Sequence, residues 1–291
     1  MVLTVASGKG GTGKTTVAVN LFASLQPYLR VRFIDCDAEE PNAFLFLNPK
    51  LDEEKDVFIP VPEVDENLCT YCGLCAEVCQ FKALAVIKGH ASILVFPEMC
   101  HGCGACTMLC PEHAIKEVPR KVGILKEGSA EGGPFTMGQL NTGEALVVPV
   151  IKAAKQRQGG NGETDVTIID APPGTSCPVI SAVKGSDFVL LVTEPTPFGR
   201  NDLDLAAQTM DELDIPSGVL INRAGDDDAI ITDYCREKKI PVVGRIPFSR
   251  EIARRYAKGR LISRDDPSLK NLFLEIFKKI QSLIDERTRS H

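Results

Sequence analysis

The chain reads as an α/β protein: a doubly wound, mainly parallel sheet interrupted by a small cysteine-rich insertion. Three observations carry that reading. Short β-branched and apolar runs alternate with helical periodicity along most of the 291 residues. A glycine-rich loop follows the first run directly, and eight of the eleven cysteines crowd into positions 69 to 110. Hydrophobic residues make up 44% of the chain, enough to bury a large core, so disorder is not the expected state.

Val2 to Ala6 reads as a strand, the glycine-rich stretch as a loop, and Lys14 to Leu25 as a helix. Val31 to Ile34 is a second buried strand, delivering Asp35 and Asp37 at its end, where parallel sheets bind ligands. Further strands are expected at Val166 to Ile169 before Asp170, Phe188 to Val192, Val219 to Ile221 before Asn222, and Val242 to Ile246. Helices fit Asp202 to Leu213, Ala229 to Lys238 and Arg250 to Lys258. Composition breaks at Ile59 to Pro62, stays cysteine-rich to Pro111 and returns through Val118 to Arg120. The expected organisation is therefore 1–60 and 119–291 as two parts of one large domain, with 61–118 as an inserted small α+β domain. Gly123 to Gly143 is glycine-rich and weakly periodic, and residues 159–163 (GGNGE) look like a loop; neither predicts a regular element.

Gly8 to Thr15, GKGGTGKT, satisfies GxxxxGK[ST] between a strand and a helix, the context a P-loop requires. Its glycines, Gly8, Gly10, Gly11 and Gly13, let backbone N–H groups converge on phosphate oxygens without Cβ clashes, and the helix start adds its positive end. Lys14 is expected on the β- and γ-phosphates and Thr15 on Mg²⁺. Lys9, Thr12 and Thr16 complete the nucleotide-contacting set.

Lys9 is a second lysine inside the loop. KGGTGKT resembles the deviant Walker A signature of the MinD/ParA/Mrp family, which includes the nitrogenase iron protein. Asp35 to Asn42, DCDAEEPN, resembles that family's switch I, and Asp170 to Gly174, DAPPG, its Walker B and switch II. The resemblance covers roughly residues 1–58 and 120–291. It implies ATP and ADP as ligands, ATP hydrolysis, and an ATP-dependent dimer, with itself or with a paralogue, in which Lys9 contacts phosphate across the interface. It also implies that Asp37 orients the attacking water, Asp170 holds Mg²⁺ through water and Gly174 senses the γ-phosphate. Asn42 then belongs to the nucleotide site, Asn222 to adenine recognition, and Pro247 to the same pocket.

Cys69, Cys72, Cys75 and Cys79 form CxxCxxCxxxC, and Cys100, Cys103, Cys106 and Cys110 repeat it. In two-cluster ferredoxins the fourth cysteine of each run serves the other cluster. One [4Fe–4S] cluster then takes Cys69, Cys72, Cys75 and Cys110, and the second takes Cys100, Cys103, Cys106 and Cys79. Pro111 follows the second run, whereas Gln80 replaces the usual proline after the first. Zinc also accepts four thiolates, but it does not call for twin runs in crossed register. A small module core is expected from Ala83, Leu84, Val86 and Ile115.

Cys177 lies where the nitrogenase iron protein has a cluster-bridging cysteine. No second cysteine lies between Cys110 and Asp170, so Cys177 reads as a small buried thiol, and Cys36 and Cys235 as packing residues. The terminal run from Leu269 to Ile284 has helical period and mixed charge on its polar face, which predicts docking on the sheet. Arg245, Arg250, Arg254, Arg255, Lys258 and Arg260 form the one basic concentration, read as a solvated helix face or a partner-docking patch. The formal charge of −6 argues against nucleic acid as the main ligand. No leader or apolar run of spanning length is visible, so a cytoplasmic protein without membrane insertion is expected.

The sequence therefore predicts an ATPase with an iron–sulfur module. Electron transfer to a redox partner, cluster or metal-cofactor assembly with an acceptor protein, and a spatial role like that of Min and Par proteins all stay open.

Overall fold

The computed structural model describes residues 1–156 and 164–290, so the predicted 159–163 loop lies outside the described residues. The chain forms two compact units, one of residues 1–54, 125–139 and 151–291, the other of residues 55–124 and 140–150.

In the first unit, β1 (Val2–Ala6) is central, flanked in parallel by β8 (Val166–Asp170) and β9 (Phe188–Thr193). Then β2 (Val31–Asp35) pairs with β8, and β10 (Ser217–Ala224) with β9 and β11 (Val242–Pro247). These are the predicted strands, β1 with the expected bounds and the others longer by one to five residues. Their apolar runs are buried on both faces because helices cover both. On one face α1 (Lys14–Leu25) packs with α10 (Ile262–Asp265) and α11 (Pro267–Ser290), burying Leu21, Phe22, Phe273, Ile276 and Ile280 over Leu3, Phe33 and Ile168. The terminal helix thus docks on the sheet as its periodicity predicts. Phe33 lies between Phe22, edge-on at 5.4 Å, and Phe135, stacked at 5.8 Å. α6 (Cys177–Val183) packs on β1 and α7 (Pro197–Glu212) on β9, with α8 (Ala229–Lys238) against α7.

The full sheet order is β11-β10-β9-β1-β8-β2-β7-β6-β3. The last three strands depart from the sequence reading. β6 (Ile115–Ala130) and β7 (Gly133–Leu140) occupy the glycine-rich stretch that predicted no element. They join through Glu131 and Gly132, whose φ values of 49° and 84° make the two-residue turn that hairpins favour. The glycines are there for contact: a Cβ on Gly128 would collide with the Lys50 carbonyl, and one on Gly133 with Gln26 and the Val31 carbonyl. β3 (Lys50–Val64) is the edge strand and contains Ile59 to Pro62, the predicted composition break. Prolines and exposed charges suit such an edge, because its outer N–H groups have no ladder to join. Ion pairs Lys116–Glu63 and Lys121–Asp56 run along the β3–β6 ribbon.

The second unit carries α3 (Leu74–Val78), an antiparallel pair β4 (Leu84–Ile87) and β5 (Ser92–Val95), and α4 (Ala105–Met108), with α3 packed on α4. Ala83, Leu84 and Ile115 are buried and Val86 half-buried. The unit is built twice. The 31-residue step from Cys69 to Cys100 also relates Tyr71 to Gly102, Gly73 to Gly104 and Lys82 to His113, all of which have positive φ. Among the described residues no helix is long and apolar enough to cross a membrane. Of the other short elements, α9 (Arg250–Tyr256) borders the cleft described next and α2 (Phe44–Leu47) meets it through Phe46 and Tyr256; α5 (Val148–Gln156) follows β7.

Candidate functional site

The loop between β1 and α1 is shaped by what touches it. A Cβ on Gly8 would collide with the Asp202 carbonyl of α7, and Gly13, at φ 91°, lies against the Asn222 side chain. Asn222 Nδ2 donates to the Thr12 carbonyl at 2.7 Å, Ser7 Oγ to the Lys9 carbonyl at 2.7 Å, and Gly174 N–H to the Ser7 carbonyl at 3.0 Å. The two ends of the loop are thus tied to β10 and to the segment after β8.

Lys14, the first residue of α1, is buried and directed at the carboxylates on the ends of β2 and β8. Its Nζ lies 2.7 Å from Asp170 Oδ1, 3.7 Å from Asp37 Oδ2 and 3.4 Å from Thr15 Oγ1. Asp35 and Asp170 are register partners across β2 and β8, and both are fully buried. Three carboxylates therefore share one ammonium. Burial and the Asp170 charge raise Asp35 to about 8, against the pull of Lys14 and of N–H donors from Ala43 and Asp37. Those two bonds also fold residues 36–43 over the strand end. Burial raises Asp37 to about 6, partly offset by Lys14. Burial works against the charge on Lys14 as well, but Asp170 and Asp37 outweigh it and raise its pKa.

Asp170 Oδ2, Asn42 Oδ1 and Thr12 Oγ1 are buried without a hydrogen-bond partner. An unpaired carboxylate oxygen beside Thr15, in a site of excess negative charge, fits a divalent cation.

An open cleft of about 400 Å³ runs from this loop. Of the predicted nucleotide residues, Lys9, Gly10, Gly11, Gly13, Lys14, Thr15, Thr16, Asp37, Asn42, Asn222 and Pro247 line it. Gly8, Thr12, Asp170 and Gly174 are not among the lining residues. The far wall is Ile246, Pro247, Phe248, Ile252, Ala253 and Tyr256, the last strand and α9. Apart from Pro247 this wall was not read from the sequence, where Arg250 to Lys258 stood out for charge. The apolar step Ile252–Tyr256 on one helix face was the available signal. Arg223, also unpredicted, sits at φ 54° with NH1 2.8 Å from Glu194 and NH2 3.3 Å from the Gly11 carbonyl. Lys9 pairs at 3.7 Å with Asp202 of its own chain.

The basic residues near α9 are partly paired, Arg245 with Asp228 and Arg255 with Glu251. Cys36 and Cys235 are buried, as packing residues should be. Cys177 is exposed, contrary to the expected buried thiol: it opens α6, where the first turn faces away from the sheet and only Val179, Ala182 and Val183 are covered.

In the second unit the eight clustered cysteines divide between two cavities. Cys69, Cys72, Cys75 and Cys110 line one; Cys79, Cys100, Cys103 and Cys106 line the other. Backbone donors point at the sulfurs in repeated fashion. Tyr71 N–H meets Cys69 Sγ and Gly102 N–H meets Cys100 Sγ, each at 3.4 Å; Ala83 and Ala114 N–H meet Cys79 and Cys110 Sγ, each at 3.3 Å. Tyr71 and Gly102 both have positive φ, so the chain leaves the two sulfurs in the same conformation. Among the described residues no three His, Cys, Asp or Glu side chains converge as a single-ion site. Each cavity presents four thiols, two of them accepting from backbone N–H groups, a set of residues that could hold a metal group.

Comparison with known proteins gives the family and the fold. The family model described as the CobQ/CobB/MinD/ParA nucleotide binding domain matches residues 3–262. An uncharacterised protein of Methanocaldococcus jannaschii, MJ0579, is 31% identical over 89% of this chain and 90% of its own. An iron-sulfur cluster carrier protein of Pyrococcus abyssi is 27% identical over 73% of this chain and 57% of its own length. A ferredoxin of Pyrobaculum islandicum is 28% identical over 28% of this chain and 72% of its own. In fold, the septum site-determining protein MinD of Pyrococcus horikoshii, solved with Mg-ADP, superposes with a TM-score of 0.58 at 18% identity, covering 97% of this chain and 96% of that one.

Proposed function

Because the chain belongs to the CobQ/CobB/MinD/ParA nucleotide-binding family, we propose that it is an ATPase whose nucleotide cycle is coupled to a module holding two [4Fe–4S] clusters, for electron transfer to a partner protein. The observation that carries this reading is the partition of eight cysteines into two cavities in crossed register, in a chain that also carries a complete P-loop.

In the ATPase unit, the P-loop amides and Lys14 hold the β- and γ-phosphates, and the adenine lies along Pro247, Ile252 and Tyr256. Thr15 and Asp170 are the residues for Mg²⁺, which when bound neutralises charge developing on the phosphate oxygens. Asp37 orients the water that attacks the γ-phosphorus. The bond to the β–γ bridging oxygen breaks, and ADP and phosphate leave. Lys9 leaves Asp202 to reach the phosphates of a second subunit, which makes the dimer depend on ATP.

In the cysteine unit, Cys69, Cys72, Cys75 and Cys110 hold one cluster and the other four cysteines the second; bound clusters supply one-electron transfer. The N–H donors from Tyr71, Ala83, Gly102 and Ala114 stabilise charge on the sulfurs. A second reading, a cluster-assembly or carrier ATPase, draws on the similarity to the Pyrococcus abyssi carrier. Saturation of each cavity with four thiols from its own chain favours resident clusters over cargo.

The test is anaerobic iron, sulfide and zinc analysis, with EPR of the dithionite-reduced protein before and after Mg-ATP. About eight irons and nucleotide-sensitive coupled signals support the proposal. Iron that leaves to an apo-acceptor supports the carrier reading, and zinc without iron defeats both.

A further inference from the structure

Lys155, near the end of α5, makes contacts that none of the roles above requires. Its half-buried ammonium donates to three backbone carbonyls, Ala182 at 2.6 Å, Lys184 at 2.6 Å and Ser181 at 3.0 Å. These belong to the last turn of α6 and the residue after it, where carbonyls have no helical partner. The Val183 carbonyl between them accepts from the Ser186 N–H at 3.0 Å. All three ammonium donors are used, and four successive carbonyl positions are satisfied. A cation there also meets the negative end of the helix. α5 is itself fixed, with Val150, Ile151 and Ala154 fully buried.

α6 is seven residues long and begins seven residues after Asp170. The segment between them is tied at Ala171 to the Val5 carbonyl and at Gly174 to the Ser7 carbonyl, each at 3.0 Å. Its far end has no strand to hold it and depends on where α6 sits. We propose that Lys155 is a positioning residue for nucleotide hydrolysis: by capping α6 it sets the 170–176 segment against the phosphate loop.

This inference rests on the ATPase reading, and the test separates the two. Hydrogen exchange across residues 171–187 and steady-state ATP turnover are measured for wild type, Lys155→Met and Lys155→Arg. In Lys155→Met, exchange at 171–186 rises about tenfold with no rise outside that stretch, kcat falls about tenfold, and KM for ATP stays within about twofold. Lys155→Arg, which keeps a cation, recovers most of both. Wild-type kcat in Lys155→Met, or exchange that rises equally throughout the chain, overturns the proposal. If the wild type shows no turnover, the ATPase reading fails. Exchange measured with and without Mg-ADP then decides the cap: a localised rise in Lys155→Met supports it and unchanged protection overturns it.

Discussion

Lys14 Nζ lies 2.7 Å from Asp170 Oδ1, so a helix-start lysine of the phosphate loop is bonded to a strand-end carboxylate 156 residues away. Both groups are buried, and each is the other's main compensation. Lys14→Ala leaves Asp170, Asp37 and Asp35 without their shared cation, at a cost of about 3–5 kcal/mol. Urea denaturation at neutral pH should show that loss, together with loss of nucleotide binding. A stability change under about 1 kcal/mol would mean that the pair is broken in solution.

Asp37 behaves in the opposite way. Burial raises its carboxyl to about 6, so folding disfavours its ionised form. A value raised on folding stabilises the protein below about pH 4, and that contribution is lost as pH climbs through about 6. Asp37→Asn is therefore expected to be about 1–3 kcal/mol more stable than wild type at pH 7.5 without nucleotide, with little difference at pH 4. The same variant should lose about 10²–10⁴-fold in kcat while still binding ATP. Equal stability of the two proteins at pH 7.5 would contradict the burial argument.

Crossed register is tested with Cys110→Ser. Cys110 lines the cavity of Cys69, Cys72 and Cys75, 35 residues from the nearest of them in sequence. The variant should keep about four irons and lose the signal of the first set, leaving that of Cys79, Cys100, Cys103 and Cys106. Loss of the second set's signal instead would mean that each run serves a single cluster.

Tyr256 is half exposed on the wall of the nucleotide cleft and rests 5.3 Å from Phe46 by ring centroids. Base–aromatic stacking contributes about 1–3 kcal/mol. Tyr256→Ala should raise KM for ATP by about 5- to 100-fold with kcat nearly unchanged; an unchanged KM would move the base elsewhere in the cleft.

Phe273, fully buried between α1 and the sheet, tests the docking of the terminal helix. Phe273→Ala should cost about 3–5 kcal/mol in urea denaturation. A much smaller loss would mean that α11 contributes little to the core.

Legibility followed the range over which each feature is encoded. The central strands and α1, α7, α8 and α11 show in the sequence because two-face burial and helical period write themselves into consecutive residues. β3, β6 and β7 do not: an edge strand is charged, and the glycines at 128 and 133 are demanded by carbonyls of other strands, so both read as loop. The same division holds in the cleft. The phosphate loop is a contiguous motif, whereas the apolar wall of Phe248, Ile252 and Tyr256 hides in a segment dominated by arginine.

From sequence alone came the phosphate loop and the acids that face it, because a contiguous motif sets which backbone amides can share one ligand; the crossed grouping of Cys110 and Cys79 with distant runs was implied by the resemblance to two-cluster ferredoxins. Tertiary structure alone decided the ion pair of Lys9 with Asp202, the clasp of Arg223 on Gly11, the exposure of Cys177 and the cap of Lys155 on α6. The three contacts among these join segments tens to hundreds of residues apart. No local pattern of charge or hydrophobicity encodes such a contact, because packing of the intervening sheet and helices sets which side chains meet.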